Sequence, residues 1–276
     1  MIEFNRSGEM KLFFRKEGEG EPFVILHGLY GSSDNWLAIS RKLAGKYTVY
    51  TPDLRNHGHS PHHPEHTYRA MRDDLKAFFD DHSIRKAILM GHSMGGKLAM
   101  FFAADYPEKV SKVIVVDIAP KNYLIEADES QYHFHRNIFQ AMLGAGISHL
   151  KTRSEVDDRL AEIIENPAIR QFLLKNVTTD KATRLLRWRL NVEVLYDHLD
   201  EIVGGVNERW FADRIPFTSY PVVFIRGLQS SYITGNDIQL IKRMYPDACV
   251  IDIPGAGHWL HAEQPGLFLE ALRKHC

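Results

Sequence analysis

The sequence predicts an α/β protein: a mostly parallel central sheet flanked by helices, with a helical cap inserted into it. Three observations carry that expectation. Up to about Pro120, short apolar runs alternate with longer segments of helical period; from about Lys121 to Arg214 the strand-like runs disappear; after Arg214 the alternation returns. Apolar runs without polar alternation mark strands covered on both faces, as parallel strands between helices are. The chain is therefore expected to divide into a core of residues 1–120 and 215–276 and a cap of residues 121–214.

Taken in order, Met10–Phe14 reads as an antiparallel edge strand. The next candidate strands are Phe23–Leu26, Thr48–Thr51, Ala87–Met90 and Val113–Val116, each closed by a turn signal: His27-Gly28, Pro52-Asp53, Gly91, and Asp117 through Pro120. Between them Ser33–Ala44, Tyr68–Asp81 and Lys97–Asp105 have helical spacing, the last stopping before Pro107. In the inserted segment Phe134–Leu143 and Val156–Ile164 are helical in period, which predicts an all-helical cap. Strands Pro221–Arg226 and Cys249–Ile253 and helices Asp237–Tyr245 and Gln264–His275 complete the core.

Composition narrows the function. The 276 residues are 44% hydrophobic and 25% charged, with 34 Lys and Arg against 35 Asp and Glu, hence a net charge of −1. Such balance supplies no electrostatic drive toward nucleic acid or an anionic membrane. No run of about 18 apolar residues supports an integral membrane segment, and the opening M-I-E-F-N-R lacks a signal peptide's basic-then-apolar order. Two cysteines, Cys249 and the terminal Cys276, make no disulfide framework, so a reducing, cytoplasmic setting is expected.

The densest chemical signal is Gly91-His92-Ser93-Met94-Gly95, a G-x-S-x-G directly after a strand and before a helix. A serine on so sharp a turn needs small neighbours two residues away, and the helix start beneath it offers free N–H groups to developing negative charge. A serine hydroxyl is a poor nucleophile and needs a base. His258, in Gly255-Ala256-Gly257-His258-Trp259, follows the last strand, where it reaches the ends of several parallel strands. The turn His27-Gly28-Leu29-Tyr30-Gly31 would aim the Leu29 N–H, with that of Met94, at an oxyanion.

With these motifs in hand the chain resembles the α/β-hydrolase fold family in the order Ser, Asp, His. More narrowly it is similar to YbfF-type bacterial esterases and, more distantly, to ABHD11-type animal hydrolases. The resemblance rests on H-G-L-Y-G-S, D-L-R-N-H-G-H-S at Asp53–Ser60, G-H-S-M-G-G-K, V-D-I-A-P at Val116–Pro120, W-R-L-N-V at Trp188–Val192, F-I-R-G at Phe224–Gly227 and G-A-G-H-W-L-H-A-E at Gly255–Glu263. Most members carry the triad acid soon after the strand that follows the cap. Here that loop, Gly227-Leu228-Gln229-Ser230-Ser231-Tyr232, has no carboxylate, and Asp237 falls in a helix. The resemblance places the acid instead at Asp117, in V-D-I-A-P, with Ser230 as an uncharged alternative partner for the histidine.

The expected activity is cofactor-free serine hydrolysis of a small acyl ester or thioester, of short to medium acyl length, by way of an acyl-enzyme. Carbon–carbon bond hydrolysis and cofactor-free perhydrolysis use the same serine and stay open, as does a non-catalytic ligand receptor on the same scaffold. The cluster His57, His59, His62, His63 and His66 reads as a solvated loop rather than a metal site. Arg55 could shape the pocket; Trp188, Arg189 and Asn191 could line the site or pack the cap; Phe134, Phe139, Met142 and Leu143 read as core.

Overall fold

The computed structural model describes residues 10–125 and 130–275. The opening residues and Cys276, on which the expectations about a leader and a free terminus rest, lie outside them; Cys249 is a free, exposed thiol. The main sheet has seven strands: β1 (Phe14–Glu17), β2 (Glu21–Leu26), β3 (Tyr47–Pro52), β4 (Ala87–His92) and β5 (Val110–Val116), with β8 (Val222–Gly227) and β9 (Cys249–Ile253) beyond the short pair β6 (Val177–Thr179) and β7 (Leu186–Trp188). Their spatial order is β1-β3-β2-β4-β5-β8-β9. Only β1 runs antiparallel, paired with β3; every other pairing in this sheet is parallel.

Period-two side-chain alternation splits the strands' apolar residues into two cores. Val24, Leu26, Leu89, Val113, Val115 and Phe224 face one layer, and Phe23, Ile25, Ile88, Met90, Ile114, Val116 and Ile225 face the other. The first layer packs on helices α2 (Tyr68–Asp81) and α3 (Met94–Asp105) and on the segment between β5 and β8; the second packs on α1 (Leu37–Leu43) and, at the chain end, on α11 (Pro265–His275). Strand β1 starts four residues later than its apolar run suggests. Met10 and Leu12 are buried by side-chain packing, while the ladder is built from Phe14-Arg15-Lys16-Glu17, whose charges suit an outer strand.

Between β5 and β8 lie α4 (Ser130–Gly144), α5 (Arg153–Ala161), α6 (Pro167–Leu174), α7 (Val192–Asp197) and α8 (Leu199–Gly204), and also the antiparallel pair β6 and β7. The expectation of an all-helical segment is thereby corrected. Strands of three residues are too short to show a period. The helices α9 (Asp237–Met244) and α10 (Leu260–Glu263) complete the chain. Among the described residues no helix is long and apolar enough to cross a membrane.

The histidine-rich loop is the largest departure from expectation. His57 and His66 are fully buried; His59 and His62 are exposed. The loop folds under itself because Asp53 accepts from the N–H groups of Ser33 (2.6 Å) and His59 (2.8 Å), and Arg55 forms a buried two-pronged pair with Asp74 (2.6 and 2.8 Å). His27 joins it: Nδ1–H donates to the Gly28 carbonyl and Nε2 accepts from the Leu54 N–H, both at 2.9 Å, which sets one neutral tautomer.

Burial lowers His27 from 6.5 to about 4 and His57 to about 3, the latter also repelled by His27, and holds His66 well below 6.5. The unfolded chain therefore binds more protons than the folded one below pH 6.5. Stability is complete above that value and is lost as pH falls toward the folded values, by roughly 2 kcal/mol per such histidine at pH 5. Chemical denaturation from pH 7 to 4.5 is expected to show a steep loss beginning near 6.5, shallower in His57→Gln; equal stability at pH 7 and 5 would contradict the burial argument.

Candidate active site

Strand β4 occupies the middle of the sheet, and Ser93 follows it immediately, before α3 begins at Met94. Its backbone is held at φ 53° and ψ −120°, a conformation that costs a non-glycine residue energy and survives only where surroundings impose it. They do so through the Ser93 N–H, which donates to the Val116 carbonyl at 3.0 Å, and through the Ser93 carbonyl, which accepts from Gly96 (2.8 Å) and Lys97 (3.1 Å). The strand and helix cross so closely that a Cβ on Gly91 would stand 2.0 Å from the Gly95 carbonyl oxygen. One on Gly95 would meet the Leu26 and His27 oxygens at 2.5 and 2.6 Å.

Ser93 opens onto a partly enclosed cavity holding about 330 Å³ of empty space. Leu29, from the turn after β2, and Met94 share its wall. Among the described residues no turn or cap hydrogen bond takes either of their N–H groups, so both donors are free for an oxygen above Ser93. The segment between β5 and β8 roofs the cavity with Tyr123, Gln131, His135, Ile202 and Val203.

His258 stands on the loop after β9. Its Nδ1 is 2.8 Å from Asp117 Oδ2, and Asp117 directly follows β5, with φ 50°. The carboxyl of Asp117 is wholly buried; it accepts from the Gly227 N–H at 3.0 Å and from the Ser230 hydroxyl. Burial pushes this carboxyl up, while the Ser230 hydroxyl, the Gly227 N–H and nearby Arg226 oppose that. Burial holds His258 below its ordinary value, keeping the imidazole neutral, as a base must be. The loop's place is set by His92, whose Nε2–H donates to the His258 carbonyl at 2.8 Å. Among the described residues no hydrogen bond joins Ser93 Oγ to His258 Nε2; such contacts commonly close only when substrate is bound.

Ser230, read as an alternative partner for the histidine, instead donates to the acid and accepts from the Tyr232 N–H at 3.2 Å. Asp237 is engaged elsewhere, by Lys121 and Thr234. Arg55 is spent on Asp74 and does not line the cavity. Arg189 and Asn191 dock the segment against the rest of the chain, on Asp34 (3.4 Å) and Asn56 (3.0 Å), whereas Trp188 packs within the segment, its indole N–H donating to the Met142 carbonyl (3.3 Å). Phe139 and Met142 are core as expected, but Phe134 is half-buried and Leu143 exposed. Among the described residues no three His, Cys, Asp or Glu side chains converge as metal ligands.

Three residues escape a sequence reading. Lys97 is buried at the cavity and donates to the carbonyls of Lys121 (3.1 Å), Val203 (2.8 Å) and Gly205 (2.6 Å), tying α3 to the roof. Burial lowers its pKa to about 7. A single lysine within the otherwise apolar Met94–Ala104 run was the available signal. His135 and Tyr232 form a buried pair (2.9 Å), and the Tyr232 ring lies face to face with His258, centroids 3.8 Å apart. Nothing in the local sequence marks that pair.

A serine at a strained strand-to-helix turn, a glycine-bearing turn after β2 and a histidine after the last parallel strand are the arrangement of one fold family. The chain belongs to it: the alpha/beta hydrolase fold model matches residues 21–265. Among its relatives, Esterase YbfF of Escherichia coli is 34% identical over 95% of both chains. The sn-1-specific diacylglycerol lipase ABHD11 of Danio rerio is 35% identical over 94% of this chain and 79% of its own. A solved marine microorganism esterase superposes with a TM-score of 0.89 at 41% identity, over 96% of this chain and 99% of its own.

The close crossing at Ser93 is testable without substrate. Gly91→Ala forces a methyl into a carbonyl oxygen and is expected to cost about 3 kcal/mol or more in urea unfolding. Gly266→Ala, in α11 with nothing within 4 Å of the new Cβ, is expected to gain about 0.5–1 kcal/mol. Equal effects would refute the packing argument.

Proposed function

We propose that the chain is an esterase/lipase-type serine hydrolase that cleaves carboxylic esters, and thioesters by the same chemistry, through an acyl-enzyme. The observation that carries this reading is the 2.8 Å contact between His258 Nδ1 and Asp117 Oδ2, on loops beside the strand that presents Ser93. In this reading His258 Nε2 takes the Ser93 proton as Oγ bonds to the carbonyl carbon, and the Leu29 and Met94 N–H groups hold the oxyanion. The carbon–oxygen bond to the alcohol breaks as His258 returns the proton to the leaving oxygen. Water, activated by His258, then releases the acid and frees Ser93. Asp117 keeps the proton on Nδ1 and stabilises the imidazolium. The esterase and lipase names of relatives that match over most of their length support an enzyme over a receptor.

Two outcomes test it. A fluorophosphonate probe is expected to label the native protein on Ser93 and to leave Ser93→Ala unlabelled; labelling retained in the variant refutes the nucleophile. With p-nitrophenyl acetate, Asp117→Asn is expected to lower kcat by about 10⁴. Ser230→Ala, which removes one of the acid's donors, is expected to cost tenfold or less. A mild Asp117→Asn phenotype would transfer the acid's role elsewhere.

A further inference from the structure

Two cavities meet at Tyr232. On one side is the chamber at Ser93, walled by Leu29, Met94, Ile118, Tyr123, Ile202 and Val203, with no wall contributed by His258. Its empty space is about 330 Å³. On the other side a more open groove of about 720 Å³ is bounded by His258, Trp259, Phe134, Gln131 and Ser231. Tyr232 lines both.

Tyr232 is a braced partition. Its hydroxyl pairs with His135 Nε2 at 2.9 Å, and His135 Nδ1 pairs with the Tyr30 hydroxyl at 3.2 Å. Its carbonyl accepts from the Tyr123 hydroxyl at 2.6 Å, its N–H donates to Ser230, and one ring face is covered by His258. A side chain held at so many points yields little to a bulky group on either side. Lys97, the one Lys, Arg, Asp or Glu in the chamber wall among the described residues, has three carbonyl acceptors for its three protons and leaves no donor for an anionic substrate.

The reaction assigns an occupant to each side. The acyl carbonyl must lie over Ser93 with its oxygen toward Leu29 and Met94, both in the chamber wall. The leaving oxygen must face His258, because it receives the proton that His258 took from Ser93; His258 borders only the groove. Resting on the hydrolase reading above, we propose that Tyr232 divides the site into a smaller, partly enclosed chamber for a short acyl group and a more open groove for the alcohol. The preferred substrates are thus uncharged esters of a small acid with a bulky apolar or aromatic alcohol.

Benzyl acetate and methyl phenylacetate are isomers with the ester reversed, and their alcohols are of similar acidity, so intrinsic reactivity separates them little. For the native protein kcat/KM is expected to be at least tenfold higher on benzyl acetate. In Tyr232→Ala the ratio is expected to fall below threefold because the phenylacetyl group gains room; the shared loss of stacking on His258 cancels in the ratio. Ile202→Ala, from a separate part of the chamber wall, is expected to narrow it likewise should Tyr232→Ala not fold. A native ratio near one, a reversed preference, or a full ratio kept in both variants would overturn the division. Turnover of p-nitrophenyl acetate alongside any of these leaves the hydrolase reading standing, whereas no turnover of any of the three esters and no fluorophosphonate labelling overturns both.

Discussion

The structure is organised around the crossing of strand and helix at Ser93. Gly91 and Gly95 let main chain touch main chain there, with no space for a single methyl. The turn so formed puts a serine at a positive φ on the central strand and starts α3 immediately under it. Replace either glycine by any larger residue and α3 must move off the sheet; the turn after β2, where the Leu26 and His27 carbonyl oxygens lie against Gly95, must then move with it. The side chains of Leu98, Phe102 and Ala99, all buried, convert that local constraint into a large part of the core.

Around the crossing, buried polar groups are held by mutual satisfaction rather than by exposure. Asp117 has donors from Gly227, Ser230 and His258; His27 has one donor and one acceptor; Lys97 has three carbonyls. Each would be costly if left alone in the interior. The same networks fix geometry, because a side chain with all its partners in place has one rotamer to occupy. They also reach outward: Lys97 ties the helix that starts after Ser93 to the roof, and His92 ties the strand before it to the loop of His258. The roof is attached at its far side by Asn191 on Asn56 and by Asn176 on the Tyr30 carbonyl (2.8 Å).

Much of this was legible along the chain. The apolar runs at Ala87–Met90 and Cys249–Ile253, the helix Tyr68–Asp81 and the glycine spacing around Ser93 are local patterns, set by the periods of strand and helix and by the space a turn allows. Asp117 became a candidate partner for His258 through the resemblance of V-D-I-A-P to related esterases, once the loop after β8 proved to hold no carboxylate. The three-residue strands Val177–Thr179 and Leu186–Trp188 could not be read from the sequence, since a strand that short has no period to detect. The histidine cluster misled for another reason: Pro61 and Pro64 among the histidines suggest a solvated loop, whereas Asp53, Arg55 and Asp74 pull the loop inward from positions up to twenty-one residues apart.

The sequence by itself determined the layered architecture and the sharp turn that carries Ser93, because alternation, helical period and the glycines beside Ser93 act within a few residues of one another. Only the tertiary structure decided which of fifteen histidines are buried, that Asp117 rather than Asp237 meets His258, and that Tyr232 stands between two cavities. Those facts depend on strand order and loop packing, which bring together residues 116 to 141 positions apart along the chain or, for the partition at Tyr232, hold one residue in place from three separate segments besides its own loop. No local period encodes a contact of that kind.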